Sequence, residues 1–304
     1  MIINKPLILL KNVFKYYGSV TAIENINFTV GSSEIFGILG PDGAGKTTLF
    51  KILATILEQS SGEVLINGLD GIKDYKKIRN IIGYMPERFS LYQDLSVEEN
   101  LNFFADIFGI SVKKNYDIIK DIYSQIEPFK KRRAGKLSGG MKQKLALSCA
   151  LIHRPEILLL DEPTTGVDPV SRKEFWDILK TLKNAGITIL VSTPYMDEAQ
   201  MCDRTAFMLK GKFLKIDRPE NIIKSFTKKI YSIKSGNFHK LISDLKNYSQ
   251  TYNVYPFGEY LHFIPTDGAM IDDVEKYLYE KGHNELEIIK SAPEIEDCFM
   301  ELSK

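Results

Sequence analysis

Short apolar runs alternate along much of the chain with longer segments in which apolar residues recur at every third or fourth position. The runs at 34–39, 157–161 and 188–191 predict strands that are buried on both faces. The spaced pattern predicts helices at 47–56 and 141–152. Strands and helices that alternate in this way predict a parallel α/β core.

Other segments of the same region have a different pattern. Alternating apolar and polar residues at 7–16, 22–30 and 62–67 predict an antiparallel β subdomain. The stretch 97–152 is predicted to be mainly helical and lies between this subdomain and the later core strands in the sequence. One large α/β domain therefore precedes the C-terminal region.

The pattern changes beyond residue 226 to the order βαββαβ, followed by one more helix. The predicted elements are strand 229–234, helix 238–248, strands 252–255 and 260–264, helix 270–280, strand 286–290 and helix 295–302. This order predicts a small α+β domain of the ferredoxin-like type. We expect a large domain at 1–226 and a small one at 227–304.

Composition and charge narrow the class of protein. With 304 residues, of which 44% are apolar, the chain is long enough for two hydrophobic cores. Its net charge of +1 predicts no general attraction to nucleic acid or other polyanions. Three cysteines without metal-ligand spacing are typical of a reduced protein, and no apolar run approaches the length of about 18 residues that a membrane span needs. We therefore expect a cytoplasmic protein.

A glycine-rich segment, GPDGAGKTT, follows the first predicted core strand. It fits the pattern G-x-x-x-x-G-K-[ST], in which backbone N–H groups surround phosphate oxygens, the lysine reaches the β- and γ-phosphates and the hydroxyl binds Mg²⁺. Lys46 and Thr47 occupy the lysine and hydroxyl positions, at the start of a predicted helix whose N-terminus faces the anion. This phosphate-binding loop comprises Gly40, Pro41, Asp42, Gly43, Ala44, Gly45, Lys46, Thr47 and Thr48.

A second phosphate-binding element is predicted at LSGGMKQ, residues 137–143, which we name the signature segment. Ser138, Gly139 and Gly140 offer a hydroxyl and unobstructed N–H groups at the start of a predicted helix. If the two elements open separate helices, a single chain cannot fold both around one triphosphate. Head-to-tail pairing of two such domains is the economical alternative.

The two segments together resemble the ATP-binding cassette (ABC) ATPases. This resemblance implies a P-loop NTPase cassette with a parallel-sheet core, an antiparallel β subdomain and a helical subdomain that carries the signature segment. It also implies ATP and Mg²⁺ as ligands and a second ATP-binding domain as partner, in a homodimer or a heterodimer. Tyr17 is similar to the aromatic residue of the family that stacks on adenine, and Asp168 lies in a loop that contacts the partner's site in the family.

Two carboxylates end the apolar run 157–161, as expected for a buried strand that delivers acids to its carboxyl end. Ligands bind at that edge in open α/β sheets. By resemblance, Asp161 holds Mg²⁺ through water and Glu162 polarises the attacking water. Glu162 and Lys46 are therefore the predicted catalytic residues, and Thr47, Asp161 and Glu87 are the candidate metal ligands.

Two positions depart from the pattern of the ABC ATPases. Glu87 stands where the family usually has glutamine, and Pro194 stands where it usually has histidine. The Glu87 carboxylate adds a negative charge beside the polyphosphate but is also a candidate Mg²⁺ ligand, and the sequence does not decide which effect prevails. Pro194 lacks a side-chain donor, and a hydrogen bond to a charged group is worth about 1.5–3 kcal/mol. We therefore hypothesise that hydrolysis is slow but not absent.

The resemblance further implies a polytopic membrane permease as partner, contacted by the segment after Glu87. Phe89 and Tyr92 are the candidate contact residues. Apolar residues at helical spacing follow them and are interpreted mainly as core. They are Val97, Leu101, Phe104 and Phe108.

The C-terminal region, in particular 295–300, resembles that of ATPase subunits from prokaryotic exporters of drugs, lipids or polysaccharides. We therefore expect an exporter ATPase, peripheral on the cytoplasmic face of a membrane. Two alternatives stay open. One is a soluble ABC ATPase acting on ribosomes or DNA, although no internal repeat or heptad tract is present. The other is a nucleotide-binding regulatory subunit, motivated by Glu87 and Pro194.

Overall fold

A computed structural model of the protein describes residues 5–87 and 91–304. The chain divides into two compact units, and the division lies between Glu220 and Asn221. The sequence places the domain boundary slightly later, between residues 226 and 227. None of the helices formed by the described residues combines the length and the apolar character needed to cross a bilayer.

The first unit begins with strands and continues as alternating strands and helices. Its elements are β1 (Ile8–Tyr17), β2 (Val20–Val30), β3 (Ile35–Leu39), α1 (Lys46–Leu53), β4 (Ser61–Ile66), β5 (Leu69–Asp70), α2 (Tyr75–Ile81), β6 (Ile82–Met85), α3 (Val97–Ile107), α4 (Tyr116–Tyr123), α5 (Gly139–Leu151), β7 (Ile157–Asp161), α6 (Pro169–Asn184), β8 (Thr188–Thr193), β9 (Arg204–Leu209) and β10 (Lys212–Asp217). Short 3₁₀ helices lie at Glu127–Phe129, Ala134–Lys136 and Met196–Met201. Helix α7 (Pro219–Lys224) follows β10.

Two sheets form the framework of this unit. The N-terminal sheet is antiparallel, in the order β2-β1-β4-β5. The central sheet has the order β10-β9-β3-β8-β7-β6, and its strands are parallel except that β10 pairs antiparallel with β9. The predicted parallel core and antiparallel β subdomain are confirmed. Strand β10 departs from the parallel pattern because a two-residue turn joins it to β9, and such a turn can connect only antiparallel strands.

The register of the central sheet brings several strand ends together. Strands β3, β7 and β8 are buried at every position, as their apolar runs predict. Asp161 lies opposite Ser192, and Leu39 lies opposite Thr193. The loops that follow these three strands therefore leave the sheet at the same carboxyl edge, where α/β proteins bind ligands.

The helical part of the unit begins at Ser96, which forms a capping box with Glu99 at the start of α3. On this helix, Val97 and Leu101 are fully buried, and Phe104 packs against the same core. Phe108 stacks on the His153 ring with a centroid separation of 3.8 Å. The interpretation of this apolar stripe as core is confirmed.

The second unit, Asn221–Glu301, contains the predicted βαββαβ order. Its elements are β11 (Ile230–Lys234), α8 (Phe238–Asn247), β12 (Thr251–Phe257), β13 (Tyr260–Pro265), α9 (Ile271–Glu280), β14 (Glu287–Ser291) and α10 (Ile295–Leu302). All neighbours in its sheet, β12-β13-β11-β14, are antiparallel. Apolar side chains of α8 and α9 share one core with those of the strands, as in a ferredoxin-like domain.

Helix α10 carries a fully buried carboxylate. Asp297 accepts hydrogen bonds from the Tyr255 hydroxyl at 2.7 Å and from the Glu294 amide at 2.6 Å, and His262 Nδ1 lies 2.6 Å from the same side chain. Burial by itself raises the pKa of Asp297, but these hydrogen bonds outweigh it and hold the pKa below its usual range. The segment 295–300, which stands out in the sequence only by resemblance, is thus tied to β12 and β13 through Asp297.

Candidate active site

The glycine-rich loop joins β3 to α1 and requires glycine at two positions. Gly45 has a φ of 108°, and a Cβ at this position would lie 2.7 Å from the carbonyl oxygen of Ala22. At Gly40, a Cβ would lie 2.2 Å from the carbonyl oxygen of Met208. Larger residues at either position would displace backbone, so the loop is shaped by these glycines.

A cleft of about 880 Å³ opens above this loop. Several of its lining residues are predicted from the sequence, namely Asp42, Gly43, Ala44, Gly45, Lys46, Thr47, Thr48, Glu87, Glu162 and Pro194. Other lining residues were not predicted, and these are Val20, Thr21, Ala22, Thr165, Tyr195, Lys210 and Gly211. The cleft is large enough for a nucleotide-sized ligand.

Lys46 lies at the base of the cleft and is only 3% exposed. Its ammonium group donates to the carbonyl oxygens of Gly40 and Pro41 at 2.7 and 3.1 Å, and lies 3.0 Å from Glu162 Oε1. These contacts aim the amine from the loop towards the carboxylate at the end of β7. A lysine charge and a potential proton acceptor are therefore held side by side.

Asp161 is fully buried at the end of β7. Its Oδ1 atom accepts from the hydroxyls of Ser192 at 2.6 Å and Thr47 at 3.4 Å, whereas Oδ2 has no partner among the described residues. Burial raises the pKa of Asp161, the two hydroxyls oppose this rise, and the nearby Glu162 and Glu87 carboxylates add to it. A divalent cation would offset this accumulation of negative charge and give Oδ2 a partner. Hard oxygen donors of this kind fit Mg²⁺.

Glu162 has an unusual backbone conformation for a residue with a side chain, with φ at 50°. Its amide donates to both the carbonyl oxygen and the hydroxyl of Ser192, at 3.1 and 2.9 Å. One carboxylate oxygen pairs with Lys46, and the other accepts from the Thr165 hydroxyl at 3.3 Å. Left-handed backbone of this type costs on the order of 1–3 kcal/mol and occurs at functional sites.

The signature segment lies outside this cleft as the described residues form it. Ser138 caps α5 by accepting from the Met141 amide, and Gly140 lies so close to Ser171 that a Cβ would approach its hydroxyl to 2.9 Å. Asp168 caps α6 by accepting from the Ser171 amide at 3.0 Å, and this hydrogen bond lowers the pKa of Asp168. The residues Ser138, Gly139, Gly140 and Asp168 do not line the cleft. The glycine-rich loop and the signature segment thus lie at separate places in the chain's fold.

The similarity of the chain to known proteins shows to which family it belongs. The family profile described as ABC transporter matches residues 23–165. Nod factor export ATP-binding protein I of Rhizobium sp. (strain N33) is 33% identical over 304 residues, which cover 99% of this chain and 98% of that protein. The chain belongs to the ABC transporter family.

Other members of the ABC family differ in length and assembly. The probable multidrug ABC transporter ATP-binding protein YbhF of Escherichia coli (strain K12) is 36% identical over 306 residues, covering 98% of this chain. The chain spans about half of that relative's length, 52%. One similar solved structure is cbiO1 from Clostridium perfringens, part of the ABC transporter complex cbiONQ. It matches with a TM-score of 0.65 at 27% identity, and the match covers 72% of this chain and 91% of the cbiO1 chain. The dimeric, post-hydrolysis structure of the ATP-binding cassette MJ0796 with ADP and Pi has a TM-score of 0.63 at 26% identity, with coverage of 69% and 98%.

Both departures from the ABC pattern lie at the cleft. Glu87 and Pro194 line it together with Glu162. Tyr195 follows Pro194 and also lines the cleft, with the Arg172 guanidinium 4.5 Å from the centre of its ring. Sequence analysis could have found Tyr195 from its place beside the usual histidine position, whereas no motif marks Lys210.

Tyr17 lies outside the cleft lining, although the resemblance to ABC ATPases implies that it contacts adenine. It ends β1 with its ring about half exposed, and the Lys15 ammonium lies 5.4 Å from the ring centre. Tyr17 does not line the cleft, but its partner across the strand pair, Val20, does. Adenine stacking by Tyr17 remains a prediction.

Proposed function

We propose that this ABC protein is the ATP-hydrolysing subunit of an exporter, which pairs with a second ATP-binding domain and drives a separate membrane permease. The observation that carries this proposal is the ion pair of Lys46 and Glu162 in the cleft, beside the buried Asp161 carboxylate, with the signature segment outside the cleft. A cleft that holds phosphate binders, a metal-ligand candidate and a general-base candidate suits phosphoryl transfer to water.

The candidate residues at the cleft and beside it have separate roles in this proposal. Lys46 and the N–H groups from Gly43 to Thr47 bind the phosphates. Thr47 and Asp161 would hold Mg²⁺, with Glu87 as a further ligand. When bound, Mg²⁺ would offset the negative charge of the phosphates.

Glu162 is the proton acceptor for the attacking water in this proposal. Its Oε1 atom now pairs with Lys46 at 3.0 Å, and a phosphate is a second anionic partner for that lysine. As Lys46 turns towards phosphate, Oε1 is released to orient water. The Thr165 hydroxyl keeps the other oxygen in place during this exchange.

Pairing follows from the separation of the two phosphate-binding elements. We propose that the signature segment of one domain completes the cleft of its partner, where Ser138 contacts the triphosphate. ATP then favours the closed pair because it binds that state better than the open state, and only such a difference in affinity shifts the equilibrium. Both a homodimer and a heterodimer fit this geometry.

The proposal that ATP hydrolysis drives export rests on relatives named for multidrug and Nod factor export. Their similarity extends over 98% and 99% of the chain. We infer that the protein lies on the cytoplasmic face of the membrane and is held there by its permease. These relatives favour the exporter over a soluble ABC ATPase or a purely regulatory subunit.

A surface for the permease is available next to α3. Tyr92 and Phe103 are 49% and 37% exposed, and their rings meet edge to face at 4.7 Å. Ile107 extends the same helix as another exposed apolar side chain. Phe89, the other candidate from the sequence, lies outside the described residues. Exposed apolar side chains grouped in this way are typical of interaction surfaces.

Replacing Tyr92 by glutamate is expected to abolish co-purification with the permease and to remove any stimulation of ATP hydrolysis by it, because a charge would be buried at the contact. ATP affinity should stay within about threefold of the unmodified protein, since Tyr92 is not part of the cleft. Tyr75→Glu, at another partly exposed tyrosine, is the matched control and should retain the permease. Retained co-purification of Tyr92→Glu would place the contact elsewhere.

Replacing Pro194 by histidine is expected to raise the rate of ATP hydrolysis by about 10- to 150-fold, the equivalent of one hydrogen bond to a charged group. The reason is that Pro194 lines the cleft without a side-chain donor. Steady-state phosphate release measures the effect, with Pro128→His, at an exposed position, as control. An unchanged rate would contradict the hypothesis that Pro194 slows hydrolysis. It would mean that another group, such as Tyr195 in the same cleft, already supplies the hydrogen bond.

A further inference from the structure

Ser192 is the penultimate residue of β8 and lies beside the Asp161 carboxylate and the Glu162 amide. It comes directly after the apolar run 188–191 and is not among the candidate site residues that the sequence predicts. Its side chain is fully buried. Because β7 and β8 run parallel with Asp161 opposite Ser192, the hydroxyl lies between the two strand ends. A buried hydroxyl in this position requires partners.

The hydroxyl finds one donor and one acceptor. It donates to Asp161 Oδ1 at 2.6 Å and accepts from the Glu162 amide at 2.9 Å. A serine hydroxyl has a single proton, and here it is donated in the hydrogen bond to the Asp161 carboxylate. The hydroxyl oxygen therefore accepts the hydrogen bond from the Glu162 amide. The directions of both hydrogen bonds are therefore fixed.

For Asp161, this contact sets the rotation of the carboxylate. Oδ1 is held by Ser192 and, more loosely, by Thr47, so that Oδ2 is the oxygen to which none of residues 5–87 and 91–304 donates. Without the serine proton, Oδ1 would lose its short, charge-assisted hydrogen bond and the carboxylate would be free to turn.

For Glu162, the contact holds the backbone. The residue has a φ of 50°, and its amide is shared between the carbonyl oxygen and the hydroxyl of Ser192. Strained backbone persists only where its surroundings hold it in place. The same serine thus anchors the conformation that directs Glu162 to Lys46 and Thr165.

We propose that Ser192 is a positioning residue for hydrolysis, which sets the orientation of the Asp161 carboxylate towards Mg²⁺ and of Glu162 towards water. This inference rests on the proposed function. It predicts that the serine acts on turnover and on divalent-ion binding more than on ATP binding, because phosphate contacts come from the loop between β3 and α1.

The test compares Ser192→Ala with Ser192→Thr, which retains the hydroxyl and suits a strand, and with Ser148→Ala. Ser148 is also fully buried, but its hydroxyl donates to the Lys144 carbonyl within the same helix, α5. Each full-length variant is measured for kcat, for KM of ATP, for Mn²⁺ affinity in the presence of ATP by electron paramagnetic resonance, and for its thermal unfolding midpoint.

In Ser192→Ala we expect kcat to fall at least about tenfold and Mn²⁺ affinity to fall by a similar factor, with KM for ATP changed less than about threefold. Ser192→Thr should recover most of both losses, and Ser148→Ala should resemble the unmodified protein. If Ser192→Ala does not fold, Ser192→Cys, which keeps the size but donates weakly, is expected to change the same two quantities in the same direction.

Several outcomes would overturn the inference while leaving the proposed function intact. In each of them the unmodified protein hydrolyses ATP. The first is a folded Ser192→Ala variant with unchanged kcat and Mn²⁺ affinity, and the second is a Ser148→Ala variant with losses equal to those of Ser192→Ala. The third is a folded Ser192→Thr variant that does not recover activity. An unmodified protein without Mg²⁺-dependent hydrolysis, alone or with its permease, would instead contradict the proposed function.

Discussion

Replacing Glu162 by glutamine is expected to reduce ATP hydrolysis by about 10²- to 10⁴-fold, the usual contribution of a positioned general base, while ATP binding is retained. Glutamine keeps the size of the side chain; its oxygen can still accept from Lys46, and its amide nitrogen can donate to the Thr165 hydroxyl. It lacks the basicity needed to accept a proton from water. In the proposed cycle, bound ATP favours the closed pair and its hydrolysis reopens the pair, so paired domains should accumulate with ATP and Mg²⁺.

Three measurements on the same preparation check this expectation: phosphate release, equilibrium ATP binding and size-exclusion chromatography. Glu156→Gln is the matched control because Glu156 is an exposed carboxylate just before β7, at the opposite end of that strand from Glu162. It should hydrolyse ATP and elute like the unmodified protein. Normal hydrolysis by Glu162→Gln would assign the base to another group, and monomers throughout would count against pairing.

Much of the fold can be predicted from the sequence because local signals agree with the tertiary structure. The apolar run 157–161 becomes β7 with both carboxylates at its end, since a strand covered on both faces needs little else to define it. The βαββαβ order of the C-terminal unit is likewise predicted, because its strands and helices have distinct periods.

Element ends are less predictable, because they depend on single backbone conformations. Helix α1 is predicted to reach residue 56 but ends at Leu53. Thr55 takes a left-handed φ of 56°, a conformation that a β-branched residue rarely adopts and that stops the helix. Nothing in the local sequence signals this turn.

At the site, motifs predict the candidate phosphate-binding residues but not the residues that hold them in position. Ser192 lies just beyond the predicted strand 188–191, and no sequence pattern marks it. Its proposed role depends on the register, which sets it opposite Asp161. Lys210 reaches the cleft through the turn between β9 and β10, far from any motif. Contacts between distant segments of this kind have no local signal.

The second large effect is expected for Lys46→Met, which should weaken ATP binding by about 10²-fold or more, as expected if one or two hydrogen bonds to charged phosphate oxygens are lost. Methionine preserves the length of the side chain without its charge. Equilibrium binding of ATP measures the loss, and Lys51→Met provides the matched control because Lys51 is an exposed lysine on the same helix. Unchanged affinity in Lys46→Met would exclude the lysine from phosphate binding.

A second explanation for a weakened Lys46→Met must be separated from the first. Lys46 also neutralises Glu162 at 3.0 Å, so its removal leaves that carboxylate uncompensated and close to the bound phosphates. The double variant Lys46→Met/Glu162→Gln removes this repulsion. If Lys46 binds phosphate directly, the double variant should still bind ATP at least about tenfold more weakly than Glu162→Gln alone, because the pairwise coupling accounts for only part of the loss. Full recovery of affinity would mean that Lys46 acts mainly by masking the charge of Glu162.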